Sequence, residues 1–392
     1  MKPLEGFKVV ALEHAIAAPF CTRQLADLGA RVIKIERPGV GDFVRGYDER
    51  VRGEASHFVW CNRSKESVTL DLKAPRAREV LHRLLAQADV LVQNLAPGAA
   101  SRLGLSHAAL RDLYPRLIVC NISGYGPDGP YKDKKAYDLL IQSEAGFLSV
   151  TGSAEMPSKA GCSIADIAAA MHACTNILAA LVERSRTGRG KEIELSMLES
   201  MVEWMSFPLY YAFDGAAPPP RTGASHATIY PYGPFPAGDG KTVMLGLQNE
   251  REWLIFCERV LLQPALGADA RFSSNSRRVT ERDALRAIIV DAFSQLSSAQ
   301  VIERLDAAQI ANARLNEMAD VWKHPQLRAR HRWVDVDSPA GRIPALLPPG
   351  IDDVTGGRMD AVPSLGEHTD ALLRELDFTE DEIRALRAEK VV

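Results

Sequence analysis

Through the first 190 residues, short β-branched runs alternate with longer amphipathic stretches. This is the pattern of parallel strands joined by helices. KVVAL (8–12), RVIKIER (31–37), DVLVQNL (89–95) and LIVCNISGYG (117–126) predict strands, the last running into a glycine-rich loop. Between them, PFCTRQLADLGA (19–30), closed by Gly29, and APRAREVLHRLLAQA (74–88) predict helices. The fold class this implies is α/β, a doubly wound Rossmann-like parallel sheet core.

A long apolar helix is predicted over about 164–186, followed by KEIELSM. Near residue 214 the texture changes to DGAAPPPRTGASHATIYPYGPFPAGDG, and such a concentration of Pro and Gly predicts a boundary. The expected division is a large domain over 1–213, a linker over 214–240, a smaller α+β domain over 241–325, and a C-terminal segment, 326–392, returning to the large domain. The small domain carries one predicted strand, TVMLGL, and helical segments at 250–262, 280–296 and 298–308. The chain ends in a charged helix, DFTEDEIRALRAEK (377–390).

With 392 residues and 46% hydrophobic content, the chain can bury a large core and exceeds the usual size of one domain. Its 47 basic and 50 acidic residues leave a net charge of -3, with no run of like charge to mark a nucleic-acid arm. Small-molecule chemistry or protein association is the expectation. MKPLEGFKVVALEH places Pro and Glu where a signal peptide needs an apolar run. The nearest approach to a membrane span, 164–182, is interrupted by Asp166, His172, Thr175 and Asn176, so a cytoplasmic location is expected. Cys21, Cys61, Cys120, Cys162, Cys174 and Cys257 are scattered without a CxxC pair, which predicts reduced thiols and no zinc site.

The chain has no GxGxxG after the first strand, no GxxxxGK[ST] loop, no HExxH and no GxSxG elbow. What stands out is a carboxylate, Asp166, in the first turn of the long apolar helix. The helix dipole favours its ionised form, and a charge at the start of a buried helix should face a cavity or a partner. Two readings of the residue stand side by side: a cap, either Asp166 itself or Ser163, and a nucleophile.

PLEGFKVVALEHAIAAPFCTRQLADLGARVIKIERPGVGD, NRSKESVTLDLK (62–73), DVLVQNLAPGAASRLGL (89–105), NISGYGPDGPYKDKKAYD (121–138) and SIADIAAAMHACTNILAALVERSRTGRG (163–190) occur in an order that resembles the family III coenzyme A transferases of the CaiB/BaiF type. YPYGPFPAGDG (230–240) and PSLGEHTD (363–370) extend the resemblance over essentially the whole chain. It implies that Asp166 is the catalytic nucleophile. It also implies coenzyme A contacts from Arg37, from Asn94 and Arg102 near the nucleotide and phosphates, and from Leu72 and Lys73 at the adenine pocket. His14, Ala15 and Ile16 would lie along the pantetheine arm, and some members carry glutamine at the position of Ile16. Lys135 and Tyr137 would contact coenzyme A or the acyl group, with Asp138 beside them.

The resemblance further implies an enzyme that moves coenzyme A from an acyl-CoA to a carboxylic acid through aspartyl-anhydride and aspartyl-CoA thioester intermediates. Its branch suggests succinyl-CoA as donor and a small dicarboxylate as acceptor, with Arg45 and Arg63 as candidate partners for a distal carboxylate. No equivalent of the glycine-rich lid of formyl-CoA transferases is present, which turns the expectation away from formate and oxalate. Neither a tightly bound cofactor nor a metal is expected; coenzyme A enters as substrate, and the assembly implied is an interlocked homodimer. An acyl-CoA racemase of the same superfamily is the enzymatic alternative, set against by Tyr137 where racemases place a histidine, and a non-catalytic CoA-binding protein is the other.

Overall fold

The computed structural model describes residues 1–353 and 356–392. They divide into two compact units, one of Met1–Gly146, Ala160–Met205 and Pro325–Val392, the other of Phe147–Lys159 and Ser206–His324.

The first unit is built on six strands: β1 (Lys8–Leu12), β2 (Arg31–Glu36), β3 (Lys65–Thr69), β4 (Val90–Gln93), β5 (Ile118–Ser123) and β6 (Glu192–Ser196). All pair in parallel, in the order β3-β2-β1-β4-β5-β6. The order reverses beside β1, so β1 and β4 part company at their C-terminal ends, where the loops leave in opposite directions and open a crevice. Helices α1 (Ala17–Asp27), α2 (Ser56–Asn62) and α3 (Ala77–Leu85) follow the first three strands. Further along come α4 (Asp138–Glu144), α5 (Ile164–Thr187) and α6 (Met197–Trp204).

Strand side chains alternate between two faces. Val10, Leu12, Ile33, Ile35, Leu91 and Val119 pack on one face with Val80, Leu81 and Leu84 of α3 and with Leu372, Leu373, Ile383 and Leu386 near the C-terminus. On the other face lie α1 and α5, which pack on each other. Their contact is close because buried positions on both are small: Ala165, Ala168, Ala169, Ala173 and Cys174 on α5, and Ala17, Ala18 and Cys21 on α1. Among the described residues α5 is the one helix long and apolar enough to cross a membrane. Its burial against α1, β5 and β6 accounts for that composition within this unit. It ends at Gly188, whose left-handed backbone (φ +75°) returns its amide to the Arg184 carbonyl.

The second unit holds a three-stranded antiparallel sheet, β7 (Tyr232–Pro236), β8 (Thr242–Gly246) and β9 (Ala311–Arg314). Helices at Glu250–Ile255, Arg282–Phe293 and Ser298–Ala307 cover it, with Trp253, Phe256, Phe272 and Phe293 in its core. The Pro- and Gly-rich stretch 214–240 is part of this unit: it contains β7 and places Tyr230, Phe235 and Ala237 in the same core.

Candidate active site

The loop leaving β1 sets the first part of the site. The His14 amide donates to Asn94 Oδ1 at 2.9 Å, and Asn94 Nδ2 donates back to the His14 carbonyl at 2.8 Å. This reciprocal pair joins the ends of β1 and β4 across the reversal in strand order. Ala15 follows with φ +62°, a left-handed conformation that costs an L-residue energy. Its amide donates to Asp42 Oδ1 at 3.2 Å. Asp42 is wholly buried and also accepts from the Val44 amide (3.2 Å) and from Lys34 Nζ (2.8 Å).

Behind that contact lies a buried charge network. Lys34 reaches Glu13 Oε1 at 3.4 Å, and Lys65 reaches the same oxygen at 2.6 Å. Thr22 Oγ1 donates to Glu13 Oε2 at 2.6 Å, and Lys65 Nζ also donates to the Pro19 carbonyl and Asn62 Oδ1. Burial alone would raise the Glu13 carboxyl, but Lys65 and Lys34 outweigh it and hold it below its usual range. Burial likewise opposes the charge of Lys34, yet Glu13 and Asp42 keep that ammonium above its ordinary value. Lys65 goes the other way, pushed by burial down to about 8. The His14 ring is also lowered by burial, with Asp42 opposing.

Asp166 occupies the first turn of α5 and is 8% exposed. The cap of this helix comes from elsewhere. Ser163 makes no side-chain cap bond. Asp138 Oδ1 instead accepts from the amides of Ala165 (2.8 Å) and Asp166 (3.3 Å), while its Oδ2 accepts from Gln142 Nε2 at 2.6 Å. The capping alternatives for Ser163 and Asp166 are thereby removed. Among the described residues, no donor bonds to the Asp166 carboxylate. Burial first, and then the Asp138 charge, push that carboxyl up to about 7. The dipole argument pointed to a firmly ionised group; desolvation and a second carboxylate at the helix start outweigh it. The Ile164 and Ile167 amides donate to the carbonyls of Cys162 and Ser163. With these and the two amides on Asp138, the four amides of Ile164 to Ile167 are all engaged.

Tyr47 feels charges from both parts of the site. Its phenol is raised by burial and by the charges of Asp42 and Asp166 and the neighbouring Tyr137, so it stands near all three. Its ring lies 5.7 Å from Phe43, which stacks on His14 at 5.8 Å. Sequence reading missed Tyr47 and Phe43, since an aromatic in a short loop carries no periodic signal. Glu13, Lys34, Asp42 and Lys65 were missed too, although Lys34 inside RVIKIE was legible as a charge in a run otherwise apolar.

The remaining candidates distribute as follows. Ile16 is buried at the N-cap of α1. Arg37 is exposed just past β2, and its charge acts on the His14 ring. Leu72 is half-buried against the core, and Lys73 beside it is exposed. Arg102 is exposed, its Nη1 2.8 Å from where a Cβ on Gly98 would stand. Lys135 and Tyr137 are exposed on the segment that leads into Asp138. Arg45 and Arg63 are committed to the interior. Arg45 binds Glu36 at 3.0 Å and the Pro363 carbonyl, and lies 3.6 Å above the Phe58 ring. Arg63 binds Asp27 at 2.8 Å and Met359 Sδ at 3.3 Å. Their guanidiniums hold the fold together, which argues against the distal-carboxylate role expected for them. Among the described residues, no three His, Cys, Asp or Glu side chains gather into a candidate metal cluster.

A parallel sheet with a reversal in strand order, a clamped loop at that point and an unshared buried carboxylate nearby define an α/β ligand-binding enzyme core. Residues 4–369 match the model of CoA-transferase family III, and the chain belongs to that family. It is a CoA-transferase. A succinate–glutarate CoA-transferase of Agrobacterium fabrum is 32% identical over 388 residues, 96% of each chain. An acetyl-CoA:oxalate CoA-transferase of Acetobacter aceti is 34% identical over 331 residues, 84% of this chain and 85% of its own. The crystal structure of a CAIB/BAIF family protein from Brucella suis superposes with a TM-score of 0.84 at 33% identity, covering 96% of this chain and 100% of the other.

Proposed function

We propose that the chain transfers coenzyme A from succinyl-CoA to a small dicarboxylic acid, with Asp166 as the covalent nucleophile. The observation that carries this reading is the state of Asp166: buried, bonded to no donor among the described residues, and relieved of the capping role by Asp138. A carboxylate kept from its own helix amides has lone pairs free for an acyl carbon.

In the proposed sequence an Asp166 oxygen attacks the thioester carbonyl, the C–S bond breaks, and coenzyme A leaves as thiolate from a mixed anhydride. The thiolate then attacks the aspartyl carbonyl, releasing succinate and leaving an aspartyl thioester. The acceptor carboxylate displaces the thiolate to form a second anhydride. Attack of the thiolate on the acceptor's acyl carbon gives the new acyl-CoA and restores the Asp166 carboxylate. Each step exchanges one anion for another, so no proton is consumed. Water has to be kept out, because either anhydride would hydrolyse.

The acceptor class rests on relatives named for glutarate and for oxalate, both dicarboxylates. Arg37, Lys73, Arg102 and Lys135, all exposed on the first unit, are the proposed cationic contacts for the coenzyme phosphates. The working assembly is proposed to be a homodimer. The test is chemical trapping: incubation with succinyl-CoA and hydroxylamine, or borohydride, followed by peptide mass spectrometry. The expected result is a hydroxamate or alcohol at residue 166, absent in Asp166→Asn. Turnover by Asp166→Asn at the wild-type rate, or an adduct on another residue, overturns the reading.

A further inference from the structure

The pair Asp138 and Gln142 has no part in the steps above, yet it sits at the root of the nucleophile. Gln142 is wholly buried; its Nε2 donates to Asp138 Oδ2, and its Oε1 accepts from the Ala160 amide at 2.9 Å. Asp138 Oδ1 takes the amides of Ala165 and Asp166. One side-chain pair thus fixes both the chain entering α5 and the first turn that carries Asp166.

An N-cap does not need a charge. Serine and asparagine cap about as well as aspartate, and here the charge lies beside a second carboxylate in a desolvated pocket, where it is costly. We propose that Asp138 is a positioning residue that does two things for Asp166: it occupies the amides that would otherwise bind the nucleophile's oxygens, and its negative charge keeps that carboxylate basic. The inference rests on Asp166 being the nucleophile.

Asp138 is the charge bound to the turn that carries Asp166; β6 brings Glu192 and Glu194, which share Asn121 of β5, and Glu203 of α6 is exposed. Of the elements packed on α5, α1 brings Arg23 and Asp27, which pair with each other at 3.5 Å, and α6 brings Glu199, closed on its own Ser196 cap. From α4 come Asp138 itself and Glu144, the latter paired with Lys134. Tyr47 contributes an uncharged phenol. Asp138 raises the Asp166 carboxyl in the same direction as burial. The chemical gain is nucleophilic strength: a more basic carboxylate attacks a thioester faster once ionised, at the expense of being protonated over more of the acid range.

The experiment is the pH profile of kcat/KM for succinyl-CoA with glutarate as acceptor, for wild type, Asp138→Asn and Asp138→Ser. Both variants lose the charge; Asp138→Asn keeps a capping oxygen in reach, while Asp138→Ser shortens the cap. Wild type is expected to lose activity on the acid side near pH 7, and each variant to lose it about one unit lower. The profiles then cross, the variants being faster than wild type at pH 6 and slower above pH 8. Damage to the fold lowers a profile without producing a crossing. A wild-type acid limb near pH 4 overturns the proposal without any variant, as does an unmoved limb in a variant whose melting temperature is intact. If the adduct still forms at Asp166 while the limb stays put, this inference falls alone; if no adduct forms there, both fall.

Discussion

A single carboxyl, Asp166, the proposed nucleophile, carries a measurable cost. Its pKa of about 7 in the folded chain stands well above the ordinary 3.8. The folded state therefore holds this proton between roughly pH 4 and pH 7, where the unfolded chain has released it. The group's contribution is fully present below pH 4 and is lost as pH rises through 7. The difference corresponds to about 4 kcal/mol, as an order of magnitude. Asp166→Asn removes the charge without changing the shape, so its melting temperature is expected to exceed wild type by several degrees at pH 8 and by far less at pH 5. A gain that does not grow with pH, measured by calorimetry on ligand-free protein, contradicts a desolvated carboxylate at this position. At this scale the sequence singled out an acid that the structure places in a buried setting, because a lone acid in an apolar helix is conspicuous. It was misleading about ionisation: Asp138 lies 28 residues away, and nothing in the spelling of KKAYD announces that its carboxylate caps a different helix.

Elements were legible where hydrophobic period and length agree, as in β1, β2 and α5, whose bounds fall within a residue of the expected ones. β3 was not, although its segment was recognised. Lys65 and Glu66 open KESVT, and charged residues there read as a loop until Glu13 and Asn62 supply the buried partners that let Lys65 enter the sheet. The same long-range dependence governs the KKAYD segment. A Cβ built on Gly124, in the loop after β5, would stand 2.3 Å from the Ala136 Cβ. The absent side chain at 124 is what allows residues 136–138 to lie where Asp138 can reach α5. Gly124→Ala should push that segment away, costing about 1–3 kcal/mol of stability by overpacking and lowering kcat/KM at least tenfold. Gly124→Ala combined with Ala136→Gly returns the lost methyl's room, so activity should recover most of the way. Failure of the double variant to recover places the defect elsewhere than in this contact.

At the scale of the molecule, the alternation of strand and helix was enough to predict a doubly wound sheet, because right-handed parallel crossovers leave few other arrangements. The extent of the second unit was harder to read. Proline and glycine over 214–240 suggested a linker, but Tyr230 and Phe235 between them are core residues, and aromatics in such a stretch are the signal to weigh against the breakers. The surface poses a further question. In the second unit, Phe207, Leu209, Tyr210, Tyr211 and Phe213 are each at least 45% exposed within one short stretch. Such a run of exposed apolar side chains within the second unit, Phe207 to Phe213, is unusual for a surface left to water, so the proposed homodimer gains an argument independent of resemblance. Sedimentation at micromolar concentration should give twice the 42.9 kDa of one chain. Replacing Phe207 and Tyr210 by Glu places charges in an interface that would have to desolvate them, and is expected to shift the species toward 42.9 kDa with each unit still folded. A wild-type protein sedimenting as a single chain, or a double variant that dimerises as tightly as wild type, moves the interface away from this stretch.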